Sequence, residues 1–544
     1  MAKIIILGSR DSANLASQIN AKLIEVPDLY ENDFGMVNDF VVDKLKQEFD
    51  ILVIDADSIK RPDVALALGL YLRLSVTEVR SNALAPIIFT SEKTIKSFFP
   101  YKPYSQLLLT PNVYFEPREC IIIDAVKPLD ATKYEDDFLS FIRVNPGPEA
   151  GNHSLANQWG ASVLDRLLNN GASSGNSTLD SVSKMLYFKY VLVQTFNVAD
   201  YLSGKEQPRY AMLNRTKIHA NGKRILLIDD EADKGWEYVL KRMIVTNEGD
   251  FDVIKRKVES YNAFTKEEKE RIEKGNYDLI LLDLRMNGVA EENIYKPDDF
   301  SGMKILKQIK KDSPGTQVIM FTASNKAWNL KALLDAGADG YYIKESPEYK
   351  FSNNFSIANY DALRENVQNC LKRSYLRDID TRMKNIRRLF NINITDLKKS
   401  ILNQLDVSYE LLKDGHFAFA YISLYQTTEM INDEYLDRDD NGVWYIVETN
   451  EDAKSWTIGK FHHECVEAKT KEKDHVKYPE WQKMASLYYQ LWKQTDKSFG
   501  YQIQTLINER NRFMHNDCNS KSDIRNEKGY LNLFNAIEKI CTLI

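Results

Sequence analysis

Five polar residues stand where apolar runs end in the middle of the chain, and their types suit one another. Asp229 and Asp230 close RILLIDD, Asp283 closes YDLILLD, Thr322 ends TQVIMFT, and Lys344 follows GYYI. Magnesium selects hard oxygen ligands and keeps several of its waters, so a small set of carboxylates suffices to hold it. A carboxylate beside such a cation is also a nucleophile toward phosphorus, because the cation neutralises charge on the transferring oxygens. On this reading Asp283 accepts a phosphoryl group. Asp230 and Asp283 ligate the metal directly, Asp229 directly or through water, and the backbone carbonyl of Arg285 completes the protein's share. Lys344 pairs with the phosphoryl oxygens, and the Thr322 hydroxyl donates to them.

A second constellation lies near the C-terminus, in Glu509-Arg510-Asn511-Arg512-Phe513-Met514-His515. Arg510 and His515 are five apart near one end of a helical stretch, so they project at neighbouring angles and can face a shared cleft. Glu429, on an earlier helical stretch, is an acidic residue of the kind that could partner them.

Elements of two kinds position these groups. Between Arg224 and about Lys372, short apolar runs alternate with amphipathic stretches, the βαβ rhythm of a parallel doubly wound sheet. In such a sheet the working residues gather at the carboxyl ends of the strands, where Asp229, Asp283, Thr322 and Lys344 fall. The first 120 residues repeat the rhythm more faintly in KIIILG, FDILVIDAD, APIIFTSE and VYF. FDILVIDAD parallels YDLILLDLR, and PIIFTSE parallels VIMFTAS, which implies an internal duplication. This copy is poorer in chemistry: Asp11 alone stands in place of the acidic pair, and no lysine follows NVYFEP. Asp55 and Asp57 remain as candidate binding groups.

The chain thus divides into residues 1–128, a faint first copy; 129–221, a helical connector; 222–372, the sheet carrying the site; and 373–544, a helical bundle. The fold class is multidomain α/β plus all-α. In the connector, His153 begins a helical stretch, as a phosphorelay histidine or simply as a polar helix start. In the last segment, LKKSILNQLDVSYELLKDG and HFAFAYISLYQTTEMINDEY form a helix pair punctuated by Gly415. The strand pattern there is limited to a hairpin around Asn441-Gly442. His462-His463-Glu464-Cys465 lacks a second ligand pair at zinc spacing. The basic run RMKNIRR, Arg382–Arg388, reads as the solvated face of a linker helix in preference to an RNA patch.

The central segment resembles the response-regulator receiver family over about 150 residues. The resemblance rests on the acidic pair, Asp283, Thr322-Ala323, Lys344 and AGADGYY, in which Tyr341 stands three residues before Lys344. It implies that Tyr341 is the switch aromatic, that magnesium is the cofactor, and that a sensor histidine kinase or other phosphodonor is the partner. Asn287 and Glu345 depart from the prolines that the family commonly carries near these positions. An acidic insertion, NGVAEENIYKPDDFS, separates Met286 from Gly302; it gates the site, contacts another domain, or is a solvated loop. The first copy is, by the same resemblance, a degenerate receiver used for docking or dimerisation.

RNxxxH in a helical bundle resembles the HEPN family, whose active members are metal-independent endoribonucleases with a composite site formed across a dimer. The resemblance implies that His515 acts as general acid/base, Arg510 stabilises the charged phosphorane, and Asn511 positions the substrate. It makes RNA and a homodimeric partner the expectation, with no cofactor for this domain and a role in stress response or anti-phage defence. The rival expectations are a non-enzymatic adaptor whose bundle only docks or dimerises, and a phosphorelay intermediate through His153.

Whole-chain properties set the limits. A net charge of -6 with 28% charged residues over 544 residues gives no global basic field, so a nucleic-acid contact needs a local patch. Five scattered cysteines without CxxC spacing fit a reduced compartment. The N-terminal apolar run is shorter than a signal-peptide core, and no run reaches membrane-spanning length. The expectation is a cytoplasmic protein without a membrane partner.

Overall fold

The computed structural model describes residues 2–29, 34–146, 152–169, 174–205, 217–255, 266–287, 291, 294–323, 326–346, 353–459, 463–468, 478–515 and 523–544. These form two compact units: residues 1–312 with 316–373, and residues 313–315 with 374–544.

The first unit holds two five-stranded sheets. One comprises β1 (Ile4–Gly8), β2 (Lys22–Glu25), β3 (Ile51–Asp55), β4 (Ile87–Thr90) and β5 (Val113–Glu116). A short parallel pair, β6 (Ile218–His219) and β8 (Ile244–Val245), flanks the other. That second sheet comprises β7 (Ile225–Ile228), β9 (Phe251–Ile254), β10 (Leu279–Asp283), β11 (Gln317–Thr322) and β12 (Gly340–Ile343). The strand orders are β2-β1-β3-β4-β5 and β9-β7-β10-β11-β12. Counted within each sheet, both read 2-1-3-4-5 with parallel neighbours throughout. In this order the chain reverses direction across the sheet between strands one and three, which opens a crevice at their carboxyl ends.

Central strands of such sheets are covered on both faces and read as continuous apolar runs, as IIILG, ILVID and LILLD do, each fully buried. The second strand of each sheet is an edge. KLIE is half-exposed and polar at both ends, and FDVI buries only its outer residues.

Helices of the connector join both cores. Leu186, Val193, Val198 and Tyr201 pack with the first sheet, whereas Trp159, Leu164, Phe188 and Leu192 pack against Leu227, Leu281, Phe321 and Tyr342 of the second. The connector is anchored on the first sheet's side by Lys189 Nζ, buried and 2.7 Å from Glu78 Oε1.

The second unit is mainly helical: Tyr375–Asn391, Asp396–Lys413, Phe417–Tyr435, Glu480–Ser486, Ser498–Met514 and Glu527–Cys541 surround one apolar core. It also contains more strand than expected. Beyond the hairpin of Leu436–Arg438 with Trp444–Ile446, which turns at Asn441-Gly442, Glu451–Asp452 adds a third antiparallel strand beside Trp444–Ile446, and Trp456–Ile458 pairs antiparallel with Cys465–Glu467. Strands of three residues carry too little period-two pattern to stand out in a sequence.

RMKNIRR presents a largely solvated face, with Asn385, Arg387 and Arg388 exposed and Met383 and Ile386 buried, but two of its arginines are tied to neighbouring helices. Arg382 Nε is 3.0 Å from both carboxylate oxygens of Glu538, and its guanidinium lies 4.7 Å from the centre of the Phe534 ring. Arg387 Nη2 reaches both oxygens of Asp406 at 2.7 and 2.9 Å.

Candidate functional site

Asp229, Asp230 and Asp283 come together at the carboxyl ends of β7 and β10, with one oxygen from each within 4.8 Å of the others. All three are buried, as are Thr322 and Lys344. Among the described residues this is the one group able to hold a metal ion. The register explains the meeting: Leu282 pairs with Ile228 and Asp283 with Phe321, so the next residues of β7 and β11 are Asp229 and Thr322. Ile343 pairs with Thr322, and the Lys344 N–H donates to the Thr322 carbonyl at 2.7 Å, which sets the lysine at the mouth of the same crevice.

Lys344 Nζ lies 2.8 Å from Asp229 Oδ2 and 2.9 Å from Asp283 Oδ1. Burial alone would lower its affinity for a proton, but Asp229 and Asp283 more than offset that, and the ammonium is held above its usual range. Burial likewise raises Asp229, against the pull of Lys344 and with a further push from Asp283. Three carboxylates against one ammonium leave two formal negative charges when all are ionised. A dry pocket sheds such an excess by binding a cation or by taking up a proton. Three buried carboxylates left with that excess are a donor set that fits a divalent cation such as magnesium.

Tyr341 sits half-buried on β12 against the apolar cluster that contains Leu333 and Met320. The Arg285 guanidinium lies 4.9 Å from the centre of the Phe300 ring. Of the acidic insertion, residues 288–290 and 292–293 lie outside the described residues. Glu291 is not in solvent: it is buried, and its Oε1 accepts the Ser301 N–H at 2.7 Å at the start of the helix Ser301–Asp312. Part of the insertion therefore folds back as a helix cap.

The first sheet's strand ends are arranged differently. Asp55, fully buried at the end of β3, accepts from the Ser12 hydroxyl at 2.7 Å and from Arg118 Nη2 at 3.0 Å, both on Oδ2. Arg118 is a cation that the sequence reading missed, because it arrives two residues after β5 and is not a lysine. Ser12, not Asp11, faces Asp55, and Asp11 is exposed. Gly8 permits this: a Cβ there would lie 2.1 Å from Ser12 Oγ. Asp57 is engaged structurally, accepting from the Ser91 hydroxyl at 2.7 Å and from the Glu92 N–H.

Two further residues at the Asp283 site were not found from the sequence. Asn157, on the connector helix Asn152–Leu168, accepts from Lys344 Nζ and, at 3.0 Å, from the Trp236 indole N–H. The Trp236 ring centre lies 5.2 Å from Lys344 Nζ. His153 lies on the same helix, and its side chain falls outside the described residues.

In the second unit, Arg510 and Asn511 occupy the last turns of Ser498–Met514, and His515 caps it, exposed. Arg510 Nη2 lies 3.6 Å from Glu429 Oε1, its guanidinium stands 4.8 Å from the Tyr425 ring centre, and Nη1 donates to Asn511 Oδ1 at 3.1 Å. Burial raises Glu429 above its usual range, with Arg510 opposing. Cys465 is buried in a strand and His463 is exposed, while His462 lies outside the described residues.

A 2-1-3-4-5 parallel sheet with an acidic trio and a lysine at its strand ends is the arrangement of a receiver domain. Residues 225–354 match the response regulator receiver domain. The chain is 39% identical over 69 residues to the nitrate/nitrite response regulator protein NarP of Escherichia coli (strain K12), covering 13% of this chain and 27% of that protein. It is 35% identical over 79 residues to the response regulator protein VraR of Staphylococcus saprophyticus subsp. saprophyticus, covering 14% of this chain and 32% of that one. It thus spans about a third or less of these relatives. Among solved structures, a response regulator receiver domain protein (CheY-like) from Methanospirillum hungatei JF-1 is 23% identical, with a TM-score of 0.19, covering 28% of this chain and 98% of that one. A receiver domain implies phosphorylation-dependent signalling and a phosphodonor such as a histidine kinase. Among the described residues no helix is long and apolar enough to cross a membrane.

Proposed function

We propose that this chain is a cytoplasmic switch in which Asp283 takes up a phosphoryl group and thereby governs an endoribonuclease of the HEPN type in residues 373–544. The observation that carries the first half is Lys344 bridging Asp229 and Asp283 inside a buried acidic trio. Asp229, Asp230, Asp283 and the Arg285 carbonyl would hold magnesium, which when bound offsets charge on the transferring oxygens. Asp283 attacks phosphorus through a carboxylate oxygen, and the bond from phosphorus to the donor's leaving group breaks. Lys344 then exchanges its contact with Asp283 for one with the new phosphoryl oxygens, and Thr322 donates to them. The added charge, about -1.5 to -2, re-pairs these groups, and Tyr341 is the aromatic that responds.

The output reading is supported by Arg510, paired with Glu429 and stacked on Tyr425 beside an exposed His515. In that role His515 moves the proton of a ribose 2′-hydroxyl, Arg510 offsets the phosphorane's charge and Asn511 positions it. Two copies of the chain would meet to complete the site. Residues 1–128 then act as a degenerate receiver and 129–221 as a connector between it and 222–372. Stress response or anti-phage defence suits a dormant ribonuclease released by a signal.

The test is incubation with total RNA, with magnesium and with or without a small phosphodonor. Cleavage should depend on the phosphodonor and be lost in His515→Ala. Absence of cleavage in both states would leave the alternative, a phosphorylation-controlled adaptor whose helical unit docks a partner.

A further inference from the structure

The lysine of the phosphoacceptor site is held from outside the receiver segment. An ammonium has three N–H donors, and Lys344 directs them at Asp229, Asp283 and the side-chain oxygen of Asn157. Asn157 stands 68 positions before the matched segment begins at residue 225. It is 1% exposed, so its oxygen serves this contact without competition from bulk water. The same oxygen takes the Trp236 indole N–H at 3.0 Å, and the Trp236 ring lies 5.2 Å from the ammonium. Asn157, Trp236 and Lys344 are therefore one hydrogen-bonded group around a single buried charge.

The connector helix is fitted closely enough to make this contact exact in register. A Cβ on Gly160 would lie 3.0 Å from the Trp236 ring and 3.4 Å from the Glu345 backbone nitrogen, so a larger residue would fit only if the Trp236 ring gave way by a few tenths of an ångström. One turn further on, Asp165 Oδ1 lies 3.1 Å from Arg242 Nη1, which ties the helix to the receiver's first helix, Trp236–Met243. Neighbouring Trp159 packs on Phe188 with ring centres 4.2 Å apart, next to Lys189, whose ammonium is pinned to Glu78.

We infer that Asn157 is a positioning residue of the phosphoacceptor site, holding Lys344 where it meets the phosphoryl group, so that the connector helix is a working part of that site. The inference rests on Asp283 being the acceptor. Preorganised charge is worth more than charge that must be gathered during the reaction, and a hydrogen bond to a buried ammonium contributes on the order of tenfold or more in an equilibrium constant.

The test uses the full chain, beryllofluoride with magnesium as phosphoryl mimic, and the Trp236 indole N–H resonance, assigned by its loss in Trp236→Phe. Asn157→Leu keeps the size and removes the acceptor; Asn157→Asp keeps the acceptor. Asn157→Leu should weaken beryllofluoride binding roughly tenfold, with the indole signal displaced and no longer responding to the mimic. Asn157→Asp keeps an acceptor for both donors and should leave the indole signal in place and still responding to the mimic, whatever its added charge does to affinity. Unchanged affinity in Asn157→Leu, or an indole signal displaced alike in both variants in step with a lowered melting temperature, would overturn the inference. Binding that survives Asp283→Asn would instead overturn the acceptor assignment itself.

Discussion

The two sheets of the first unit share strand order, a buried aspartate ending the third strand and a threonine ending the fourth, yet their strand-end sites differ in electrostatic balance. Around Asp283, three buried carboxylates face one lysine. Around Asp55, one buried carboxylate faces one arginine, and the place of the acidic pair is taken by the neutral hydroxyl of Ser12. The first site has an excess of negative charge that a bound cation or a proton must offset; the second is already balanced by its own residues. The same strand order can thus place an aspartate at the same strand end in two different charge patterns. Self-neutralisation, more than the absence of a lysine, is what separates the two strand-end sites.

The widest contrast should come from removing the cation in each site. Lys344→Met leaves three carboxylates buried without an ammonium and should destabilise the magnesium-free protein by about 3–5 kcal/mol, with most of the loss recovered when magnesium is added. Denaturant titrations with and without the ion measure this, and a loss that magnesium does not touch would count against the metal assignment. Arg118→Met should cost less, about 1–3 kcal/mol, because Arg118 is partly solvated and Ser12 still serves Asp55. Here magnesium should restore nothing. If it did, the Asp55 site would be a metal site too and the distinction would collapse.

A finer comparison concerns the groups around each cation. Trp236→Phe keeps an aromatic face near Lys344 but removes one donor to Asn157, which should cost about 1 kcal/mol and slightly weaken beryllofluoride binding. Ser12→Ala removes one donor to Asp55 and should cost about 1–2 kcal/mol with no effect on beryllofluoride at all. Any change in mimic binding in Ser12→Ala would reveal communication between the two sites.

Much of this was legible in the residues. Buried central strands announce themselves as apolar runs, so RILLIDD, YDLILLD and TQVIMFT place Asp229, Asp283 and Thr322 on strand ends from the residues alone. The edge strands Lys22–Glu25 and Phe251–Ile254 were not seen, because a strand with solvent on one side carries too few apolar residues to be distinguished from a loop. Arg118 and Ser12 were missed for a different reason. A search for the second copy's lysine and acids at matching positions finds nothing, whereas folding brings a different cation and a neutral hydroxyl to the same carboxylate. Asn157 lay beyond reach of any local pattern, since its partner Lys344 is 187 positions away. In the second unit, the ties made by Arg382 and Arg387 of RMKNIRR were not legible because their partners, Glu538 and Asp406, lie on other helices.

The most direct measurement is of where a phosphoryl group goes. The full chain, incubated with magnesium and acetyl phosphate, is digested under acidic conditions that preserve acyl phosphates and read by peptide mass. The account predicts one phosphoryl group on the peptide bearing Asp283, lost in Asp283→Asn, unchanged in Asp55→Asn and absent without magnesium. Label on the Asp55 peptide, or label at Asp283 that does not need the metal, would contradict it.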